Sequence, residues 1–150
     1  MAAEAKVALL QTAVGSRSLR DWDTHWERLP DAFRDDHPEL RRIPGLFRIV
    51  LDGETMYICS AIEVRGGIAK GLRRISGPPQ TGNSRYGAQM IRAHIEEVAV
   101  DILRLNDQTD PKVVGRLLKR AMNKLYDPEW AWAAQRRMKQ IRAGERPASR

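Results

Sequence analysis

The chain has one cysteine in 150 residues, Cys59. A single thiol excludes an internal disulfide, and with it the small disulfide-stapled secreted scaffolds, so a reducing, cytoplasmic setting is the expectation. No apolar run approaches the roughly 18 residues that cross a bilayer, so no membrane partner is expected. The apolar stretch 7–14 is too short, and Glu4 precedes it where a signal peptide carries positive charge. There is no internal repeat, Walker sequence, zinc-ligand cluster or nucleophile elbow. The three histidines, His25, His37 and His94, stand at no metal-ligating spacing. From the residues alone, no cofactor and no metal site is expected.

Acidic residues are missing from two stretches. Residues 64–95 carry six arginines or lysines and no acid, and residues 112–150 carry eleven basic against three acidic groups. Residues 1–40 lean the other way, with five basic and eight acidic groups. The net charge of +7 is therefore concentrated. Concentrated positive charge attracts a polyanion, because each neutralised phosphate releases condensed counterions. Nucleic acid is the expected partner; a merely solubilising surface is the plain alternative.

Local signals then order the chain. Residues 2–14 form a helix ended by Gly15 and Ser16. Leu19, Trp22, Trp26, Leu29 and Phe33 recur at three- and four-residue spacing, which predicts a helix over 19–33 complicated by Pro30. Two apolar runs, 46–51 and 55–61, flank Asp52-Gly53, the strongest short-range signal for a β-hairpin. A short helix is predicted over 68–75, a loop over 76–83, an amphipathic helix over 85–98 and a third strand over 98–105. Asp110-Pro111 starts a further helix that runs to Tyr126, and a last helix is expected over 130–141. Glu96, Glu97 and Asp101 read as a solvated acidic face, and Cys59 as a buried structural residue. The fold class is α+β, a small mixed sheet made of the hairpin and the third strand and flanked by helices.

The segments Gly45-Leu46-Phe47 and Tyr57-Ile58-Cys59 stand on the two hairpin strands. With 68–74 and Asp127-Pro128-Glu129-Trp130 they follow the order hairpin, helix, helix, strand, helix. In motif and order the chain resembles the GIY-YIG nucleases over residues 43–130, which leaves a helical N-terminal extension, 1–42, and a basic C-terminal helix and tail, 131–150. The resemblance implies phosphodiester hydrolysis with one divalent metal, Mg²⁺. Tyrosines of the two triplets line such a site, an arginine on the first helix meets the phosphoryl charge, a glutamate on the third helix holds the metal, and an asparagine supports it.

Carried over by position, that set is altered. Phe47 replaces the first tyrosine and has no hydroxyl, while Tyr57 is retained. Gly71 stands at the arginine position, with Arg74 the better substitute and Arg73 the poorer. Lys119 stands where the metal-binding glutamate is expected, and Ala131 at the asparagine. The helix over 112–126 contains no acid, and a hard cation needs one or two carboxylates. The expectation is a non-catalytic domain that binds nucleic acid through Arg65, Lys70, Arg73, Arg74, Arg85 and Lys119. Gly66, Gly67 and Gly82 would let the backbone approach it. Two alternatives stay open. One is a structural or inhibitory subunit of a phage-related or bacterial assembly, with a protein partner met through Trp22, Trp26, Trp130 and Trp132. The other is a Mg²⁺-dependent endonuclease with a displaced catalytic set. For each tryptophan, a place in the core is the competing reading.

Overall fold

A computed structural model describes residues 1–63, 65–78 and 86–131. The loop past Pro78, Arg85, Trp132 and the helix and tail expected beyond them lie outside the described residues.

The hairpin forms where the alternation and the turn place it. Strands β4 (Gly45–Leu51) and β5 (Glu54–Ala61) pair antiparallel from Leu51↔Glu54 to Gly45↔Ala61, with a register shift at Ile49/Val50. Asp52 and Gly53 both adopt positive φ, 51° and 79°, as the two-residue turn that matches strand twist requires. Strand β6 (Ala99–Arg104) pairs antiparallel with the other side of β4. A two-residue strand, β3 (Glu27–Arg28), adds to β6, giving the order β3-β6-β4-β5. Every pairing is antiparallel, so the expected mixed sheet is corrected to an antiparallel one. A separate ribbon joins β1 (Ala13–Val14) to β2 (Arg17–Ser18).

The N-terminal helices are shorter than their periodicity predicts. Helix α1 covers Ala3–Gln11, and helix α2 covers only Leu19–Asp23. Local bonds stop α2: the Thr24 hydroxyl donates to the Asp21 carbonyl at 2.7 Å, and the His25 amide to the Trp22 carbonyl at 2.9 Å. Beyond it, Arg28 bonds Asp101 and Arg104 bonds Glu27, which draws the chain into strand β3. Asp31 and Ala32 take positive φ, 63° and 43°, which a continuous α-helix does not accommodate. The segment 1–42 is thus not purely helical, because it supplies an edge of the main sheet.

Three further helices follow the local signals. Helix α3 spans Gly67–Ser76, α4 spans Tyr86–Ala93 and α5 spans Pro111–Tyr126. Asp110 caps α5 by accepting from the Val113 amide at 3.3 Å, with Pro111 at the first turn, where its missing N–H costs nothing. Strand alternation sends β4 side chains to opposite faces. Phe47 and Ile49 join Cys59, Val100, Ile102 and the apolar sides of α3 and α4. Leu46 joins Ile58, Leu103, Trp22 and the apolar side of α5. The sheet is therefore the middle layer between two cores. No helix among the described residues is long and apolar enough to cross a membrane.

The tryptophans divide accordingly. Trp22 is fully buried, and its indole N–H donates to the Val14 carbonyl at 2.7 Å. Trp130 is buried and stacks on His94 with centroids 5.6 Å apart. Both are interior rather than on the surface. Trp26 is half-buried, donates to Asp23 and lies under the Arg48 guanidinium.

Because Trp22 fills the α5-side core and satisfies a backbone carbonyl, Trp22→Ala should cost about 3–5 kcal/mol. Urea denaturation of both proteins checks this; a loss below about 1 kcal/mol would mean that the side chain is not packed as described.

Candidate nucleic-acid interface

Helix α5 is two-faced. Val114, Gly115, Leu118, Ala121 and Met122 are buried against the sheet. Arg116, Lys119, Arg120, Asn123 and Lys124 fall on the opposite side, within a stripe about 140° wide at 100° per residue. These five side chains, with Ser60, Asp127, Pro128 and Ala131, line an open groove of about 640 Å³. A smaller cavity of about 130 Å³ lies against α3, lined by Lys70, Gly71 and Arg74 and also by Ser60. Ser60, on the outer strand β5, is common to both. The cations of α5 and α3 thus border two depressions that meet at one strand residue.

Some cations are paired and others are not. Arg17, Arg28, Arg48 and Arg104 each contact a carboxylate at 2.5–2.9 Å. Arg116, Lys119, Arg120 and Lys124 form no ion pair among the described residues, and neither do Arg65, Arg73 and Arg74. Lys6, Arg20, Arg34, Arg41, Arg42 and Lys112 form no ion pair among the described residues either. Lys70 is the exception on this side, 3.7 Å from Glu63. The pairs leave little field outside the protein, whereas the unpaired groups project one.

The positions carried over from the resemblance are divided by the sheet. Phe47, Tyr57, Gly71 and Arg74 lie on the α3 and α4 side, while Lys119 and Ala131 line the α5 groove. Phe47 and Gly71 are complementary. A Cβ on Gly71 would stand 3.0 Å from the Phe47 ring and 2.9 Å from the Ala61 methyl. The ring fills the space into which a longer side chain at 71 would start. Tyr57 packs its ring on the α4 backbone, where a Cβ on Gly87 would come within 2.4 Å. Cys59 is buried, as expected of a structural residue. Gly67 is glycine for an internal reason: its φ is +59°, and a Cβ would meet the Ile43 backbone at 2.6 Å. Arg65 and Arg73 are exposed and line neither cavity.

Sequence reasoning singled out Lys119 but left its four stripe neighbours unassigned, although the 116/119–120/123–124 spacing is legible. Asn123 stands apart, since its Oδ1 is buried with no hydrogen-bond partner. Sequence also misread Asp101. It is not on a solvated face but 4% exposed, accepting from Arg28 Nε at 2.5 Å and Arg48 Nε at 2.9 Å. The Arg48 guanidinium lies over the Trp26 ring at 4.5 Å and the Tyr126 ring at 5.3 Å. Tyr126 donates to Asp23 at 2.5 Å. Burial, then the Asp23 carboxylate, push the Tyr126 phenol above its ordinary value, with Arg48 opposing. Among the described residues no group of three His, Cys, Asp or Glu side chains could hold a metal ion. Comparison of the chain with family models, with curated proteins and with solved structures finds no match.

Two outcomes follow from this packing. Gly71→Ala gains about 1 kcal/mol of helix propensity, but overpacking against Phe47 and Ala61 costs about 1–3 kcal/mol. The variant should be the less stable protein in urea, and equal or greater stability would contradict the contact. For Tyr126, a folded-state value raised above the unfolded one gives stability that is full below pH 10 and is lost as pH rises through the folded value. The stability difference between wild type and Tyr126→Phe, measured from pH 8 to 11, should therefore shrink at the alkaline end; a constant difference would contradict it.

Proposed function

We propose that this protein binds nucleic acid through the unpaired cations of α5 and α3 and does not cleave it. The observation that carries the reading is the clustering of unpaired cations along one face of α5. Arg116, Lys119, Arg120 and Lys124 lie on one side of one helix, around a groove, with no ion pair among the described residues. From Arg116 to Lys124 the stripe runs about 12 Å along the helix, the reach of about four phosphates of one strand. No bound metal is needed for this contact, because Lys119 supplies a fixed positive charge.

The GIY-YIG-like reading enters as part of the same proposal. It is supported by the element order, hairpin β4–β5, helices α3 and α4, strand β6 and helix α5. The absence of catalysis is supported by the packing of Phe47 on Gly71 and by the lack of any acid on α5. A protein-interaction role draws no support from Trp22 or Trp130, which are interior.

The test is a salt titration of binding to a labelled polynucleotide in EDTA. The slope of log K against log salt should be steep, and Lys119→Ala should weaken binding across sequences and flatten that slope by about one unit. An unchanged slope would remove Lys119 from the interface. Incubation with plasmid and single-stranded DNA in Mg²⁺ or Mn²⁺ should give no cuts. Cleavage abolished by EDTA and by Tyr57→Phe would overturn the non-catalytic part.

A further inference from the structure

A second cavity, of about 490 Å³, opens on the α5 side of the sheet near the hairpin turn, and the nucleic-acid reading does not use it. Its charged lining is Arg28, Arg48 and Asp101 from the strands, with Glu54, Asp127 and Glu129 at the turn and beyond α5. Arg48 and Asp101 form its inner part, their side chains 17% and 6% exposed. Glu54, Asp127 and Glu129 are exposed and form its rim.

The Arg48 guanidinium is held as few arginines are. One edge is fixed, with Nε donating to Asp101, while the Trp26 and Tyr126 rings lie within 4.5 and 5.3 Å of its carbon. Arg28 meets the same carboxylate, also through Nε, and its side chain is 61% exposed. Both bonds to the carboxylate use Nε; Arg48 also meets the Tyr126 hydroxyl, and the exposed Arg28 keeps its terminal N–H groups on the cavity side for a further acceptor. A planar fork fixed in advance loses little entropy on binding a carboxylate or phosphate, and such contacts are bidentate and charge-assisted.

The rest of the lining selects between those anions. Four carboxylates outweigh two guanidiniums, so the cavity as a whole repels a polyphosphate. A ligand that meets both halves carries a carboxylate for the arginines and an ammonium for the rim acids. The volume falls in the range of ordinary small-ligand sites, about 300–1,000 Å³. We infer that this cavity is a binding site for a small zwitterion, an amino acid or dipeptide, with its carboxylate on Arg48 and Arg28 and its ammonium among Glu54, Asp127 and Glu129. The inference is independent of nucleic-acid binding.

The experiment is calorimetric titration of the full chain with Ala-Ala, its N-acetyl form, its C-terminal amide and inorganic phosphate. The free dipeptide should bind, each blocked form should bind about tenfold more weakly, and phosphate should bind more weakly than the dipeptide. Arg28→Ala should weaken the free dipeptide about fivefold without weakening the amide. Glu129→Gln, at an exposed position that leaves the Asp101 cluster untouched, should weaken the free dipeptide without weakening the N-acetyl form. No heat from the dipeptide, equal binding of the blocked and free forms, or tighter binding of phosphate would each overturn the inference.

Discussion

One buried carboxylate organises the sheet. Asp101 sits on β6 with its side chain almost out of water, a place where an unpaired charge is not tolerated. It is satisfied by two arginines from the strands on either side, Arg28 of β3 and Arg48 of β4. The short N-terminal strand therefore has a reason to leave its helical periodicity, since the Arg28 contact lies on β6. The constraint spreads through Arg48, whose guanidinium meets Trp26 and Tyr126, and both of those side chains donate to Asp23. In this way β3, β4, β6, the end of α2 and the end of α5 are joined through one set of charges. Removing Asp101 alone would strand two guanidiniums, so the pair is better regarded as a specificity device than as a stabilising one.

The same pairing shapes the surface. Carboxylates of the strands, and those beside them, take up Arg17, Arg28, Arg48 and Arg104. Helix α5 carries no acid of its own, and Arg116, Lys119, Arg120 and Lys124 form no ion pair among the described residues. A chain with net charge +7 thus presents its charge unevenly, with an internally compensated region and a basic groove. In the proposed reading a polyanion meets the second region, so counting basic residues overstates the interface. The two regions also differ in what they can accept. The groove is lined by cations, and the cavity at Asp101 by both signs of charge.

What was legible in the sequence was local. Asp52-Gly53 between apolar runs placed β4 and β5, alternation placed β6, and Asp110-Pro111 placed the start of α5, because each signal lies within a few residues of the structure it makes. The misreadings came from distant contacts. The existence of β3 depends on Asp101, 73 residues from Arg28, and no periodicity reports that. Asp101 looked like a surface acid because its partners are not its neighbours in sequence. The basic stripe could be counted from the sequence, but its meeting with α3 at Ser60 could not. The fit of Phe47 to Gly71 needed the fold, which turned two separate departures from a nuclease pattern into one packing contact.

The central claim is that unpaired cations on α5 and α3 form the binding surface while paired cations do not. The most direct measurement is a map of backbone amide chemical shifts as a short polynucleotide is titrated into the protein in EDTA. The account predicts shifts along α5 from Arg116 to Lys124, at Ser60 and near Lys70 and Arg74, with β3 and the centre of β6 unmoved. Shifts centred on Arg28, Arg104 and Arg17, or no shifts on α5 at a saturating concentration, would contradict it.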